Sequence, residues 1–314
     1  MLNKESFFTK TWVVFLLAFL SCALWGSAFP CVKIGYRLFG IGGAWNDSLL
    51  YAGVRFLLAG VMIIVFCSCK QKRFVLPGRT NWKYVLVLSL FQTIGQYIFY
   101  YIGLYRTAGI KASVINSTGV FLSILTACFL FKLERFTLFK FIGCILGVFG
   151  VILVNLGGEF TFSFSFTGEG FLILSCVLSA LAGNFSKLFS RYEDPVTLSG
   201  WQFLVGGIIL IAVGLAGGGS LHPASPLAFV MLTYLALISA VAFSLMGILL
   251  KYNPVSRVSS YKTLTPVLGF VFSAIFLSEG SLLRVETFVA LIVTSLGIFL
   301  INRYGDQQIK INKK

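Results

Sequence analysis

Long runs of apolar residues, separated by short charged or Pro/Gly-containing breaks, follow one another along the whole chain. Each run is about 20 residues long, the length that an α-helix needs to cross roughly 30 Å of hydrocarbon. The hydrophobicity within a run is continuous and does not alternate, which favours helices over the strands of a barrel. The pattern therefore predicts an all-α polytopic membrane protein with ten transmembrane helices. They are expected at approximately 12–35, 48–68, 83–104, 110–131, 137–156, 168–189, 196–216, 226–249, 256–278 and 285–303.

The second half of the chain repeats part of the first. The stretch Tyr51–Val65 reappears in altered form as Leu198–Ala212. Five predicted helices fall in each half, and because five is an odd number, the halves insert into the membrane with opposite orientations. We therefore predict two inverted-topology five-helix repeats, 12–156 and 168–303, with a binding site at their interface. The identical positions include Gly53 and Gly200, Phe56 and Phe203, Leu57 and Leu204, and Gly60 and Gly207.

The composition excludes an ordinary soluble domain. Of the 314 residues, 58% are hydrophobic and 11% are charged, whereas soluble proteins carry about a quarter charged residues. The net charge of +15 comes mainly from Lys and Arg in short loops on one side of the predicted spans, and the loops 157–167 and 217–225 contain neither residue. The positive-inside rule then predicts a multi-pass protein of the plasma or inner membrane with both termini cytoplasmic. Nucleic acid is not expected as a partner.

The sequence carries no signature of catalysis or of metal binding. Its seven Cys lie within or at the ends of apolar runs, and its one His, His222, lies in a Gly/Pro-rich loop. A disulfide framework, a metal site and a cofactor are therefore not expected. The motifs His-Glu-x-x-His, Gly-x-Ser-x-Gly and Gly-x-x-x-x-Gly-Lys are missing, so we expect no enzyme activity and no catalytic residues. A channel is the less favoured alternative, because no charged ring or filter motif is visible.

Several short motifs resemble those of the EamA branch of the drug/metabolite transporter superfamily. They are Ala23–Pro30 followed by Lys33, the stretch Arg55–Gly60, the pair Glu134–Arg135, and Pro266 with Glu279 after it. The first half departs from this pattern, because Phe121 stands where the second half has its proline. The resemblance implies a ten-helix transporter with two inverted halves around a central cavity. Members of the family move amino acids, other small metabolites or toxic compounds, usually outward.

Polar side chains within apolar spans are the candidate substrate-binding residues, because in a membrane they are costly and usually face a cavity. Gln92, Gln96 and Tyr100 lie at i, i+4 and i+8 and would share one helical stripe. Hydrogen bonding between helices is the alternative role for the two Gln. Spans four and nine carry equivalent polar stretches, which we expect to form opposing walls of the site. The other candidates are Asn116 and Thr118 on span four, Tyr261, Lys262 and Thr265 on span nine, Trp25 and Ser27 on span one, and Asn184 on span six.

Two cations lie within predicted spans. Arg55 is expected to pair with a carboxylate or a helix end and to hold structure. Lys262 has two alternatives. It either snorkels to the cytoplasmic surface with no functional role, or it turns inward and binds a carboxylate or phosphate of the substrate.

All ten Asp and Glu residues lie at span ends or in loops, so a buried acid for a cationic substrate is not expected. The sequence thus predicts a secondary transporter of small metabolites, with amino-acid-like solutes favoured, which exports them by alternating access through a central cavity between the two repeats. A multidrug or toxic-compound efflux carrier is the alternative. The expected partners are the solute and the lipid bilayer, and the protein is expected to be a monomer or a homodimer.

Overall fold

A computed structural model describes residues 4–42, 44–107, 109–154, 164–276 and 285–305. Within these residues the chain forms helices joined by short turns, without a β-strand. The thirteen α-helices of the described residues are α1 (Lys4–Phe8), α2 (Thr11–Leu38), α3 (Trp45–Gln71), α4 (Trp82–Leu88), α5 (Gln96–Tyr105), α6 (Gly109–Leu125), α7 (Leu138–Val154), α8 (Phe171–Phe189), α9 (Pro195–Ala216), α10 (Pro226–Tyr252), α11 (Val255–Ser260), α12 (Leu264–Phe276) and α13 (Val285–Tyr304).

Several α-helices are joined or extended by turns of wider or tighter helix. Wide π turns occupy Ser89–Gly95, Thr126–Leu130 and Phe166–Gly170, and a tight 3-10 turn occupies Tyr261–Thr263. Consequently α4 and α5 form one continuous helix, Arg79–Tyr105, whereas α11 and α12 are joined through the 3-10 turn. Single π turns inside α-helices are frequent at functional sites, because they change which way the following residues point.

Six helices of the described residues are long and apolar enough, by length and composition, to cross a membrane. They are Thr11–Leu38, Trp45–Gln71, Arg79–Tyr105, Phe166–Phe189, Pro195–Ala216 and Pro226–Tyr252. Shorter apolar helices lie at Ile115–Leu130, Leu138–Leu153 and Phe288–Tyr304. The all-helical, multi-pass membrane character predicted from the sequence is therefore confirmed, while the count of ten crossings stays a prediction. Glu279 and the predicted span ends 155–156 and 277–278 lie outside the described residues.

Helix boundaries follow local sequence signals. Asp194 caps α9 by accepting hydrogen bonds from the backbone amides of Val196 and Thr197, at 3.0 and 3.1 Å. Pro195 then occupies the first turn, where a missing amide proton costs nothing. Pro30, in contrast, lies inside α2 without ending it. A long apolar helix in a membrane tolerates such a proline because its neighbours re-satisfy the freed backbone group.

The helices α3 and α9 contain the repeated sequence and pack against each other at glycines. A Cβ atom placed on Gly60 would lie 2.7 Å from the carbonyl oxygen of Gly200, and one placed on Gly53 would lie 3.0 Å from that of Gly207. The order of the contacts is reversed between the two helices, so α3 and α9 run antiparallel. The backbones approach closely there because glycine has no side chain.

A second antiparallel pair joins α7 to α13. A Cβ atom on Gly143 would lie 2.7 Å from the carbonyl oxygen of Gly297, and one on Gly150 would lie 3.1 Å from that of Ala290. The first helix of each half packs on the other half. Helix α2 contacts α10 and α12, while α8 contacts α5 and α6. The interior is therefore built from both halves of the chain.

Candidate functional site

Lys262 lies at a break between α11 and α12. Its carbonyl would accept the amide proton of residue 266 in a continuous helix, but that residue is Pro266, which has none. The chain forms a 3-10 turn over Tyr261–Thr263 instead. The Lys262 Nζ lies 5.9 Å from the ring centroid of Trp25 on α2. In the described part of the chain, neither a carboxylate nor a hydrogen-bond acceptor pairs with this ammonium.

A row of aromatic rings leads away from Trp25. Its ring packs edge-on to Phe243 of α10, with centroids 5.1 Å apart. Phe243 packs against Phe203 of α9 at 4.9 Å, and Phe203 stacks on Phe56 of α3 at 5.1 Å. The row crosses from α2 through α10 and α9 to α3, so both halves of the chain contribute rings to it.

Three other predicted residues lie close to Lys262 or Trp25 along the chain but face different neighbours. Ser27 is buried, donates to the carbonyl of Leu24 at 2.9 Å, and lies 3.3 Å from the hydroxyl of Tyr234. The hydroxyl of Thr265 is buried without a hydrogen-bond partner. Tyr261 is buried and packs edge-on to Phe15 of α2 at 6.2 Å.

The predicted stripe of Gln92, Gln96 and Tyr100 is interrupted by the π turn Ser89–Gly95. Because a π turn accommodates one extra residue, it rotates the residues after it by roughly 100° relative to a regular α-helix. Gln92 accordingly lies against α9, where its Oε1 accepts from Gln202 at 3.2 Å. The carbonyl of Gln96 accepts from Ser175 of α8, while the Oε1 of Gln96 is buried without a partner.

Tyr100 belongs to a cluster of tyrosines on α5. Its ring lies 5.5 Å from that of Tyr101 and 6.4 Å from that of Tyr97. Gln92 therefore has the inter-helix role that was the alternative for the two Gln, and Tyr100 faces other aromatic rings.

Asn184 lies between α8 and the end of α6. It is fully buried, and its Nδ2 donates to the carbonyl of Ser123, the hydroxyl of Thr126 and the carbonyl of Ala180. These bonds fasten α8 to the end of α6. Its sequence signal, a polar residue deep in an apolar span, is the same for a packing contact as for a binding residue.

The two candidates on α6 are less enclosed. Asn116 is exposed, and its Oδ1 lies 3.6 Å from the thiol of Cys176 on α8. Thr118 donates to the carbonyl of Ile115 at 2.6 Å and lines a groove of about 300 Å³ with seven apolar residues of α6 and α7. An open apolar groove of this kind is suited to lipid in a membrane.

Arg55 was expected to pair with a carboxylate or a helix end, and in the described residues aromatic rings surround it instead. The side chain is 7% exposed, and in the described residues no carboxylate pairs with its guanidinium. The guanidinium lies 4.6 Å from the ring centroid of Phe56 and 5.9 Å from that of Tyr97. The ionisable groups around it are the hydroxyls of Tyr36, Tyr51, Tyr97 and Tyr101.

The sequence pattern missed this tyrosine cluster. Tyr97, Tyr100 and Tyr101 lie together in one predicted span, which is a usable signal. Tyr36 and Tyr51 come from α2 and α3, and only the packing of three helices brings them to Arg55.

At the end of the molecule formed by loops 72–81, 131–137 and 190–194, polar contacts link the two halves. Glu134 pairs with Lys140 at 2.9 Å and accepts from the backbone amide of Ser256 in α11 at 3.1 Å. The hydroxyl of Ser256 also donates to it. Burial raises the pKa of Glu134, but Lys140 and the Ser256 donors outweigh burial, so the net pKa lies below its usual range.

A second acid links the halves at the same end. The carboxylate of Glu193 accepts from the amide of Gly78 at 2.9 Å and from Nδ2 of Asn81 at 3.0 Å. Burial opposes ionisation, but these hydrogen bonds hold the pKa of Glu193 below its usual range. Arg257 of α11 adds a third link by donating to the carbonyl of Thr9 and the hydroxyl of Thr11.

Comparison with known proteins explains the doubled layout. A profile of the EamA-like transporter family matches residues 12–156 and 166–303. The chain belongs to the EamA-like transporter family. The uncharacterized transporter YvbV of Bacillus subtilis is 29% identical to this EamA-like chain over 97% of each protein. An uncharacterized transporter of Archaeoglobus fulgidus is 27% identical, covering 94% of this chain and 99% of its own. The uncharacterized inner membrane transporter YedA of Escherichia coli K12 is 25% identical, covering 88% and 89%.

A solved crystal structure shares the fold. It superposes on this EamA-like transporter with a TM-score of 0.75 and covers 91% of this chain and 95% of the solved one, at 16% identity. Among the described residues of the transporter, no group of three or more His, Cys, Asp or Glu side chains could hold a metal ion. The cysteines of the described residues form no disulfide with one another, and Cys69 is exposed whereas the other six are buried.

Proposed function

We propose that this protein is a secondary transporter of small metabolites, with amino-acid-like solutes favoured, in the plasma or inner membrane. The observation that carries the proposal is the unpaired ammonium of Lys262 beside Trp25. A cation within a span is costly unless it meets an opposite charge or water. Since no described side chain supplies that charge, an acidic group of the solute is the natural counter-ion.

The packing of the helices supports two inverted five-helix repeats, 12–156 and 168–303, with ten crossings. Gly53 and Gly200 are repeat partners, as are Gly60 and Gly207, yet Gly53 contacts Gly207 and Gly60 contacts Gly200. This exchange is what two equivalent helices make when a two-fold axis in the membrane plane relates them. Rocking of the two halves about such interfaces would give alternating access to a site between them.

The composition of the interior supports a zwitterionic or anionic solute. Lys262, Trp25 and Phe243 offer a positive charge and aromatic faces, and in the described residues no acid accompanies them. A lipophilic cation would find no counter-charge there. Large apolar side chains such as Phe66, Phe129 and Ile292 are more than half exposed, which suits contact with the bilayer as a partner.

In the proposed topology both termini and the Glu134 end are cytoplasmic. The carrier exports its solute, needs no cofactor, and is a monomer or a homodimer. The links from Glu134 to Ser256 and from Glu193 to Gly78 join different halves. These links must break whenever the site opens toward the cytoplasm.

The test is solute binding and exchange by the full-length protein, compared with Lys262→Gln. Zwitterionic or anionic metabolites should raise the unfolding temperature of the wild type, by about 2.7 kcal/mol of stability at a hundred times the dissociation constant. The same solutes should show counterflow in proteoliposomes. Both effects should fall at least tenfold in Lys262→Gln, because the substitution removes the counter-charge.

The matched control is Lys251→Gln. Lys251 also lies over an aromatic ring, that of Tyr252 at 5.8 Å, but at the end of α10. It should bind and exchange like the wild type. If only lipophilic cations stabilise the protein, and Lys262→Gln responds to them like the wild type, the proposal is wrong and multidrug efflux replaces it.

A further inference from the structure

A second unpaired cation is buried in the interior, and its surroundings differ from those of Lys262. Arg55 lies ten residues into α3, about 15 Å from its start at 1.5 Å per residue. Its Nε is buried and has no hydrogen-bond partner. The hydroxyl of Tyr97 lies within reach of the guanidinium. No carboxylate among the described residues neutralises it.

Two tyrosine hydroxyls beside Arg55 are buried without hydrogen bonds. The Tyr51 side chain is fully buried, and its hydroxyl has no partner. The hydroxyl of Tyr36 faces Ser48 and Tyr101 but makes no hydrogen bond of normal geometry with either. The two rings pack edge-on with centroids 5.6 Å apart. A Cβ atom on Gly35 would collide with the Tyr51 hydroxyl. The hydroxyl can therefore lie where it does because residue 35 is a glycine.

Unmet donors of this kind are expensive in a fold that serves structure alone. A buried charge needs a partner, and a buried hydroxyl without one costs the full desolvation penalty. The rings of Phe56 and Tyr97 attract the guanidinium, but a ring quadrupole does not replace a counter-ion. Three unsatisfied donors around one positive charge are the donor set that an anion with two oxygens would satisfy.

We propose that Arg55, with the hydroxyls of Tyr36, Tyr51 and Tyr97, forms a second anion site, which binds the carboxylate of the transported solute. The planar guanidinium fork matches a carboxylate bidentately. A single cation balances a monoanion, whereas a phosphate dianion would leave one charge unmatched. The identity of the anion as the solute's own carboxylate rests on the proposed function.

The aromatic row connects this site to Lys262. The Arg55 guanidinium lies over Phe56 at one end of the row, and the Lys262 ammonium lies beside Trp25 at the other. Three ring contacts separate these two rings. In the proposed topology Arg55 is nearer the outer surface and Lys262 nearer the cytoplasm. A carboxylate passing outward would leave one cation and meet the other, with apolar faces along its path.

The decisive variants are Tyr36→Phe and Tyr51→Phe, because they remove only hydroxyls that make no hydrogen bond of normal geometry in the structure. A structural role predicts no change in carboxylate binding, since each ring is retained. The proposed site predicts that unfolding temperature without solute is unchanged or higher, while affinity for carboxylates falls about tenfold or more per hydroxyl. Tyr252→Phe removes a hydroxyl at the far end of α10 and should leave the affinity unchanged.

Binding is measured as thermal stabilisation of the full-length protein by amino acids and hydroxy acids, each compared with its carboxamide, and by chloride and inorganic phosphate alone. Carboxylates should stabilise the wild type and carboxamides should not. Arg55→Gln should abolish the response while keeping the apo protein folded, because it removes an unpaired buried charge. Wild-type affinity in both Phe variants overturns the site, as does full stabilisation by chloride or phosphate alone.

Counterflow separates the failure of this site from the failure of the proposed function. Exchange of carboxylates by the wild type, with wild-type affinity in Tyr36→Phe and Tyr51→Phe, rejects the Arg55 site and retains the transporter. Carboxylate binding that is lost in both variants, without any exchange by the wild type, retains the site and rejects transport. A panel that neither binds nor exchanges rejects both.

Discussion

The polar side chains inside this protein are of two kinds, those with a hydrogen-bond or ionic partner and those without one among the described residues. Gln92 bonds to Gln202, and Asn184 donates three hydrogen bonds to neighbouring helices. Such groups fasten helices together and cost little when buried. Lys262 and Arg55 lack carboxylate partners among the described residues and keep an unmet positive charge. A buried charge without a counter-ion costs stability, so the acidic group of a ligand is the partner that we propose for each of them.

Glu134 belongs to the first kind, and its loss should be costly. In Glu134→Gln the buried ammonium of Lys140 loses its carboxylate partner, and we expect the free energy of unfolding to fall by about 3 kcal/mol. Because the pKa of Glu134 is lowered in the folded state, its stabilisation is complete above a glutamate's ordinary pKa of about 4.3 and disappears as the pH falls through the lower folded value.

Thermal unfolding of the wild type and Glu134→Gln between neutral and acidic pH measures this effect. The difference between the two proteins should be large at pH 7 and should shrink on acidification. Glu5→Gln changes an exposed carboxylate in α1 and serves as the control. A difference that stays constant with pH would contradict an ionised Glu134 in the link.

At the scale of helices, the closest approaches occur where glycine has no side chain to hold them apart. The α3–α9 pair depends on Gly53, Gly60, Gly200 and Gly207 at the positions that first revealed the repeat. Close contact between backbones gives dispersion attraction. In lipid this attraction holds helices together, because the hydrophobic effect does not drive apolar helices to associate there.

Gly60→Ala should therefore destabilise the protein by about 1–3 kcal/mol, as overpacking does. The new Cβ would lie 2.6 Å from the backbone nitrogen of Leu204, and neither helix can yield without moving the other. Gly183→Ala is the matched control, because a Cβ there meets nothing within 4 Å. It should be neutral or stabilise by about 0.5–1 kcal/mol through helix propensity. Equal unfolding temperatures for both variants would show that the α3–α9 contact is loose.

The helices themselves were well predicted because their signals are local. Continuous hydrophobicity located the apolar spans, and the span expected at approximately 196–216, for example, is the helix Pro195–Ala216. The π turn at Ser89–Gly95 does not change the hydrophobicity of the segment, so the hydrophobic pattern could not predict that Gln92 and Gln96 face different neighbours. Likewise, the sequence around Asn184 does not show which helix packs beside it. A buried asparagine that bonds to a neighbouring helix therefore has the same sequence pattern as one that binds a solute.

At the scale of the whole molecule, each half lends its first helix to the other. Helix α2 packs on α10 and α12, and α8 packs on α5 and α6. Neither half is therefore an isolated bundle, and in the proposed alternating-access mechanism the contacts at the Glu134 end would have to exchange. For these contacts to control access to the proposed site, the Glu134 end must face one defined side of the membrane.

The native cysteines provide a direct test of orientation. Cys69 lies at the end of α3 and is exposed, whereas the other six cysteines are buried. In the proposed topology a membrane-impermeant maleimide should label the protein in inside-out vesicles and not in intact cells. Cys69→Ser should abolish the labelling. Reaction of Cys69 from outside intact cells would reverse the topology and the direction assigned to the two cation sites.

The exchanged glycine contacts between α3 and α9 bear on how such a chain could arise. Consider an ancestral five-helix chain that could insert in either direction. One of its helices would carry the whole surface of this interface, and the same helix of a second, oppositely inserted copy would pack against it. In the proposed topology each half crosses the membrane five times and so begins and ends on opposite sides, and joining two genes end to end would then invert the second copy without any added connecting helix. Duplication would thus fuse a pre-existing pair, and only afterwards could the two copies come to differ, as they do now at Arg55 and Gln202.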